Sequence, residues 1–182
     1  IATNSAIVSI TGTFNPTNTY STLRLRVFRD QNGNGTYTPG EQVDQQVVSL
    51  SNVSATPFNF SFSLTAELVN YKFVLFGVNG ASADTLVSAS NVVAGDAYLI
   101  NGQSNAEAAP WCGENLTLEP NNLPNRNFIR TYGYPTTNPY NTMTKSWYIA
   151  EGIGNGGGSY PGFVGSWGMY LGSRLTQLYG FP

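Results

Sequence analysis

The strongest constraint on the fold is an alternation of apolar and polar residues in the first half of the chain. It is clearest in two runs, TLRLRVF at residues 22–28 and FNFSFSL at residues 58–64. Successive side chains of a β-strand point to opposite faces, so a period of two predicts strands with one buried face. The second run places four apolar side chains on one face: Phe58, Phe60, Phe62 and Leu64. That face requires a partner sheet.

Four further runs are rich in β-forming residues and are separated by Gly, Asn, Pro and Ser turns. They are AIVSITGTF (6–14), QVDQQVVSL (42–50), YKFVLFGV (71–78) and TLVSASNVV (85–93). Six or seven short strands with no helical pattern among them are typical of a sandwich of two sheets. We therefore expect residues 1–93 to form an antiparallel β-sandwich of the immunoglobulin or fibronectin type, a module that often serves as an accessory domain.

The pattern changes after Gly95. The short apolar run AYLI (97–100) predicts a strand of a sheet that is covered on both faces, and NFIRTYG (127–133) predicts another strand. These features indicate a second, α/β domain with a parallel sheet over residues 94–182, cut short before its later strands.

A helix is predicted near the end of the chain, opened by the glycine-rich loop at 152–162. Apolar residues recur at helical spacing in FVGSWGMYLGSRLTQLYG: Trp167, Leu171, Leu175 and Leu178. Gly180 follows the last of them and is a plausible C-terminal cap.

Composition excludes some classes of function. Charged residues make up 10% of the chain and the net charge is −2, so there is no basic field to attract nucleic acid. No apolar run approaches the roughly 20 residues of a membrane span. The chain opens without a charged and apolar leader and is rich in Asn, Thr and Gly. We expect a secreted or cell-surface protein.

The segment DQNGNGTYTPGE (30–41) matches the calcium-loop pattern D-x-[DN]-x-[DN]-G-x5-E. The predicted oxygen ligands are Asp30, Asn32, Asn34, the carbonyl of Thr36, and Glu41. Strands flank the loop instead of helices, so this would be a calcium-binding hairpin with weak affinity and a structural role. The same Asn and Gly residues also favour a long hairpin turn that holds no metal.

A second segment, INGQSNAEA, places Ser104 on a turn between a predicted strand and a predicted helix. Gly102 permits a tight turn, and amides at the start of a helix could stabilise an oxyanion, as a nucleophilic serine requires. The alternative is a plain turn in which Ser104 or Asn105 caps the helix.

A wider stretch, AGDAYLINGQSNAEA, resembles the first sequence block of the SGNH-type carbohydrate esterases, above all the sialate O-acetylesterase and acetylxylan esterase group. NFIRTYGYP and FVGSWGMYLGSRLTQLYGFP resemble the blocks that follow, so the resemblance covers roughly residues 92–182. It implies an SGNH-hydrolase domain with Ser104 as nucleophile and the amide of Gly168 beside that of Ser104 in the oxyanion hole. Gln103 and Asn105 would then contact the substrate.

The activity implied by the resemblance is hydrolysis of acetyl esters on sugars, with an acetylated carbohydrate as partner and no catalytic cofactor. Two departures stand against it. Ala106 replaces the usual Met, and the chain has no histidine to act as base. The resemblance implies that an Asp-x-x-His block follows Pro182 and that residues 1–182 alone are inactive. The alternative is a non-catalytic surface adhesion or carbohydrate-binding protein.

Overall fold

A computed structural model of the chain describes residues 4–16, 19–99, 122–133, 145–152, 162 and 164–182. The chain divides into two compact units, Ile1–Ala94 and Gly95–Pro182. All strand pairs among the described residues are antiparallel, and one α-helix accompanies them. The helix found in this part of the chain is too short and too polar to cross a membrane.

The first unit contains all six strands that the sequence predicts. They are β1 (Ser5–Phe14), β2 (Thr22–Arg29), β3 (Gln42–Ser49), β4 (Thr56–Thr65), β5 (Tyr71–Asn79) and β6 (Ser82–Val92). β1 pairs with β4 in one sheet, and the other sheet has the order β3-β2-β5-β6. The prediction of an antiparallel β architecture is confirmed.

The core lies where the apolar faces of the two sheets meet. Its buried residues come from β2, β4 and β5 and from the end of the unit: Leu23, Leu25, Val27, Phe60, Leu64, Tyr71, Phe73, Leu75 and Ala94. Phe58 and Phe62 pack against this cluster, so the four residues predicted to share a face of β4 do so. Apolar burial of this kind is the main force that stabilises a fold.

One side chain links the two sheets. The amide of Gln46 in β3 donates to the carbonyl of Ser61 in β4 at 2.7 Å and accepts the N–H of Ser61 at 3.2 Å. One N–H and the oxygen of a primary amide have the arrangement of a peptide group, so Gln46 replaces a ladder pair where β3 and β4 are not joined by backbone hydrogen bonds. Its Nε2 also donates to Asp44 Oδ2 at 2.7 Å.

The second unit departs from the parallel sheet that was expected. Its described strands, β7 (Arg130–Gly133) and β8 (Ser146–Ile149), pair directly and antiparallel. Residues 97–99 belong to no strand, and Leu99 is 94% exposed, so the buried strand predicted at 97–100 is wrong over these three residues. A continuous apolar run fits a buried strand but does not by itself supply a partner strand.

The predicted helix is present as α1 (Gly165–Tyr179), and Gly180 caps it in the left-handed conformation, its N–H donating to the carbonyl of Thr176 at 3.0 Å. The buried face differs from the prediction. Leu171 and Leu178 are exposed, whereas the helix buries small and polar residues together with one methionine: Gly165, Ser166, Gly168, Met169, Ser173 and Thr176.

Two of the three buried hydroxyls of α1, those of Ser173 and Thr176, have local partners. Ser173 donates to the carbonyl of Pro124 at 2.8 Å, and Thr176 donates to the carbonyl of Ser173 at 2.9 Å. At Gly172, an added Cβ would lie 2.9 Å from the side chain of Ile129. The helix therefore buries this face because small residues permit close approach and two of its hydroxyls are satisfied. The Ser166 hydroxyl is buried without a partner among the described residues.

Replacing Phe60, which is 1% exposed, tests where the core lies. Phe60→Ala is expected to lower the free energy of unfolding by about 3–5 kcal/mol, because it removes a ring from the centre of the core and leaves a cavity. Ile7→Ala, at a residue of β1 that is 66% exposed, is the control and should change it by less than about 1 kcal/mol. Urea unfolding of both variants measures the difference, and equal losses would contradict this placement of the core.

Candidate functional site

The loop at residues 30–41 connects β2 to β3 and is the best-defined candidate site in the first unit. Gly33 and Gly35 both have positive φ, at 66° and 72°, a conformation that other residues adopt rarely. These two glycines let the backbone turn back sharply. The short 3₁₀ turn Pro39–Glu41 then leads into β3.

Asp30 is the first predicted ligand and is 3% exposed. Its Oδ1 accepts the N–H of Asn34 at 3.1 Å, and its Oδ2 accepts the N–H of Gly35 at 2.9 Å. Both oxygens therefore face the interior of the loop. Its own N–H donates to the carbonyl of Asn70 at 2.9 Å, which fixes the first residue of the loop against the segment before β5.

Glu41 closes the loop from the other end and is 6% exposed. Its Oε1 accepts the N–H of Gln31 at 3.1 Å, and its Oε2 accepts both the N–H and the hydroxyl of Thr38 at 3.0 Å. These hydrogen bonds, the one from the Thr38 backbone foremost, hold the pKa of Glu41 below its usual range. The carboxylate thus stays ionised in the folded protein at neutral pH.

The amide ligands lie between the two carboxylates and are exposed. Asn32 Oδ1 accepts the N–H of Asn34 at 3.0 Å, and Asn34 Oδ1 accepts the N–H of Thr36 at 2.7 Å. The five residues predicted as calcium ligands thus lie in one loop, in which hydrogen bonds join Asp30, Asn32 and Asn34 to the loop backbone. Across the part of the chain that the structure describes, no three His, Cys, Asp or Glu side chains form a metal-binding group. The loop supplies two carboxylates, and further ligands must be amide or carbonyl oxygens.

The residues predicted for catalysis are not brought together within the described ranges. Ser104, Gln103 and Asn105 lie outside them. Gly168 is described, and it is buried in the first turn of α1, where an added Cβ would meet the side chain of Val164 at 2.9 Å. A packing reason for this glycine therefore exists without an oxyanion hole.

A network of three side chains that the sequence did not predict lies at the end of the first unit near the loop. Glu67 Oε1 accepts hydrogen bonds from Arg29 Nε at 2.8 Å and from the Tyr71 hydroxyl, while Glu67 Oε2 accepts Arg29 Nη2 at 2.6 Å. The Arg29 contact holds the pKa of Glu67 below its usual range. Burial, aided by Glu67, raises the pKa of Tyr71 to about 12. Charged residues near strand ends were the only signal in the sequence.

A second missed feature is the outer face of the four-stranded sheet. Leu23, Leu25 and Val27 of β2 enter the core, so the residues between them, Arg24 and Arg26, lie on the opposite face. Lys72 of β5 lies on that face too, because its neighbours Tyr71 and Phe73 are in the core. We call this surface, marked by Arg24, Arg26 and Lys72, the basic face. The feature of the sequence that indicates this face is the pair of arginines that alternate with apolar residues in TLRLRVF.

The known protein to which the chain is found to be similar is a receptor and not a hydrolase. The chain is 32% identical over 129 residues to the TonB-dependent receptor SusC of Bacteroides thetaiotaomicron. The match covers 65% of this chain and 12% of the receptor, so the chain spans a small part of that protein. No protein-family model matches the chain, and no solved structure matches it.

These findings overturn the resemblance to the SGNH-type carbohydrate esterases. The match to a receptor contradicts the enzyme assignment and the hydrolase class that came with it. The resemblance depended on short blocks rich in Gly, Asn and Ser, and such residues recur in turns for conformational reasons that have nothing to do with catalysis. In addition, the described strands of the second unit are antiparallel, whereas that resemblance implied a parallel sheet.

Acid titration tests the environment of Glu41. Its pKa lies below the ordinary value of 4.5, so its contribution to stability is complete above that pH and is lost as the pH falls through the lowered pKa. Glu41→Gln should therefore make the free energy of unfolding less dependent on pH below about 4.5. Gln31→Ala, which removes no titrating group from the loop, should leave the dependence unchanged. Urea unfolding at a series of pH values measures it, and identical slopes for Glu41→Gln and the unmodified protein would contradict the assignment.

Alkaline titration tests the network of Arg29, Glu67 and Tyr71. The pKa of Tyr71 is raised from 10.0 to about 12, so its contribution is complete below pH 10 and is lost as the pH rises through 12. Tyr71→Phe should reduce the loss of stability between those values. The absorbance of the ionised phenol, followed against pH, should also show one late-titrating tyrosine that this variant lacks. A Tyr71→Phe protein with an unchanged titration curve would rule the network out.

Proposed function

We propose that the chain is a non-catalytic binding module of an exported protein, with Ca²⁺ held in the loop 30–41 as a structural cofactor and a carbohydrate as its partner. The observation that carries the proposal is the pair of carboxylates at the two ends of one loop, both nearly inaccessible to solvent. Neither forms an ion pair with a cationic side chain of the described residues.

Two buried negative charges need a counter-charge or a dense set of hydrogen bonds. A buried carboxylate without compensation costs several kcal/mol. The backbone N–H groups supply part of this compensation, but each carboxylate oxygen can accept more than one contact. A hard cation such as Ca²⁺ prefers carboxylate, amide and carbonyl oxygens, which are the groups that this loop presents.

The proposed ligands are Asp30, Asn32, Asn34, the carbonyl of Thr36, and Glu41. The hydrogen bonds of Asp30 and Glu41 supply the support, since they direct both carboxylates inward from opposite ends of the loop. With two carboxylates, the affinity should fall in the range of extracellular modules, a Kd of about 10⁻⁴ to 10⁻³ M. The alternative remains a hairpin turn that these same hydrogen bonds stabilise without metal.

We propose further that the sandwich is of the immunoglobulin type. In that type, strands B and E are neighbours in one sheet, and strands C′, C, F and G follow one another in the other. The pairing of β1 with β4 and the order β3-β2-β5-β6 fit this arrangement. Tyr71 begins β5, and its hydroxyl bonds the side chain of Glu67 four residues upstream. In a tyrosine corner the hydroxyl bonds the backbone upstream, so Tyr71 resembles that feature in position but not in its acceptor.

A binding role is favoured because the match is to a receptor. Carbohydrate is proposed as the partner because the chain is poor in charge and rich in hydroxyl and amide side chains, which form hydrogen bonds with sugar hydroxyls. Export to the cell surface is proposed on the same composition. These features support the proposal independently of the calcium loop.

Calcium titration tests the proposed cofactor. If Kd is about 1 mM, roughly 10 mM Ca²⁺ should stabilise the folded protein by about 1.4 kcal/mol, since ligand that binds only the folded state adds RT ln(1 + [L]/Kd). For a unit of this size the melting temperature should rise by about 7 °C. Differential scanning calorimetry with and without the ion measures the shift, and isothermal titration gives the affinity.

The matched variants separate a specific site from general screening of charge. Asp30→Asn and Glu41→Gln should each abolish the shift, while Asp44→Asn, outside the loop on β3, should retain it. Mg²⁺ at equal concentration should have a smaller effect, because it demands a rigid six-fold geometry. If calcium raised the melting temperature equally in the unmodified protein and in all three variants, or if titration showed no heat of binding, the metal-free hairpin would be the correct description.

A further inference from the structure

We propose that the basic face is the binding site of the module and that its ligand is an acidic polysaccharide, a sugar chain bearing carboxylate or sulfate groups. The inference rests on the proposed binding function and adds to it the surface and the chemical class of the partner. It is independent of the calcium loop.

The register of the sheet places the basic residues in adjacent rows. One row runs across the strands as Val47, Arg24, Phe76 and Thr85, and the next as Gln45, Arg26, Val74 and Ser88. Arg24 and Arg26 are two residues apart on β2, so their Cα atoms are about 6.8 Å apart. Two guanidinium groups are thereby presented at a fixed spacing on a rigid strand.

The charges of the first unit are segregated. It contains four cationic side chains, of which Arg29 is paired with Glu67 and the other three mark the basic face. Its carboxylates are directed elsewhere. Those of Asp30 and Glu41 face the interior of the loop, Asp44 bonds the amide of Gln46, and Asp84 bonds Tyr20. No carboxylate of the described residues therefore forms an ion pair with this surface.

Arg24 has no hydrogen-bond or ion-pair partner among the described residues, and its Nε is buried without an acceptor. The two Nη groups of an arginine are planar, paired N–H donors that match a carboxylate or sulfate, whereas the buried Nε of Arg24 is closed to a ligand from solvent. Arg26 is held in place beside it, because its Nε donates to Gln45 Oε1 at 3.2 Å and its guanidinium lies 5.5 Å from the centre of the Phe76 ring. An ordered cation loses less entropy when it binds.

Lys72 extends the surface toward the loop. Its ammonium group lies 5.4 Å from the centre of the Tyr37 ring, and that ring also contacts Phe28 edge-on. Contact with an aromatic face stabilises a cation without neutralising it. Arg26 and Lys72 are thus held against aromatic rings and still carry their charge, which is what attraction of an anionic chain requires.

The neighbouring groups favour a polysaccharide over other anions. Gln45, Thr85 and Ser88 place amide and hydroxyl groups in the same rows as the arginines, where they can bond sugar hydroxyls between the charged groups. Nucleic acid carries a charge about every 1.7 Å of duplex, far denser than three cations can match. An acidic peptide would bind best at a strand edge, where backbone groups are unpaired.

Binding to defined polymers tests the proposal. Polygalacturonate supplies carboxylates, dextran sulfate supplies sulfates, dextran is neutral, and polyglutamate is an acidic peptide. Calorimetry or affinity electrophoresis of the full chain is performed with a chelator, so that calcium does not bridge the polymer to the protein. One or both acidic polysaccharides should bind, and dextran and polyglutamate should bind at least about ten-fold more weakly. Comparing the affinities of polygalacturonate and dextran sulfate shows whether carboxylate or sulfate groups are preferred.

The variant Arg24→Gln/Arg26→Gln should weaken binding of the acidic polysaccharide by about ten-fold or more, since it removes the charged donors. Arg174→Gln, which removes an exposed charge from α1, is the control and should change it by less than about two-fold. Melting temperatures of both variants are compared with that of the unmodified chain. If the double variant is unstable, Arg24→Lys, which retains charge but loses the paired donors, should show an intermediate affinity.

The outcomes separate this inference from the proposed function. Equal binding to dextran and to the acidic polymers, unaffected by the arginine variants, would support a carbohydrate-binding module and overturn the acidic ligand. Equal or tighter binding of polyglutamate would show that the face recognises an acidic protein instead. Failure to bind any of the polysaccharides would overturn both the inference and the carbohydrate partner, whereas the calcium titration would remain a separate result.

Discussion

Burial of one face of β2 is the interaction on which the rest of the first unit depends. Leu23, Leu25 and Val27 are almost wholly excluded from water and lie at the centre of the cluster that joins the two sheets. Because a strand alternates its side chains, burying these three residues forces Arg24 and Arg26 onto the opposite face. A shift of one residue in register would bury both cations and expose the core. The core and the basic face are thus two consequences of one alternation.

The end of β2 is fixed by polar contacts instead of apolar ones. The strand ends at Arg29, which pairs with Glu67, and the next residue, Asp30, begins the loop and donates its N–H to the carbonyl of Asn70. Asn70 and Tyr71 are consecutive residues where β5 begins. The loop is bonded to the first and the network of Arg29, Glu67 and Tyr71 includes the second. Ionised and buried groups in such a place hold a backbone rigid, because each has a directed partner that an alternative conformation would lose.

The sequence was most informative where the signal is local. Alternation and β-forming runs between turn residues predicted all six strands of the first unit, and the Asn and Gly residues at 30–41 predicted a hairpin turn. The residues around Ser104 were misleading because a short block of turn residues fits several structural contexts equally well. The helix α1 shows the same limit. Its position and its glycine cap were correct, but Leu171 and Leu178 are exposed and small residues are buried.

By itself, the sequence determined which residues form strands, which face of each strand is apolar, and where the helix ends, because these depend on periodicity and on the conformational preferences of residues near one another. Only the tertiary structure decided which cations have partners. Arg29 meets Glu67, which is 38 residues away in the chain, whereas Arg24 meets no carboxylate of the described residues. It also decided that α1 packs through Ser173 and Gly172 against Pro124 and Ile129. Such contacts join segments far apart in the chain, so no local pattern encodes them.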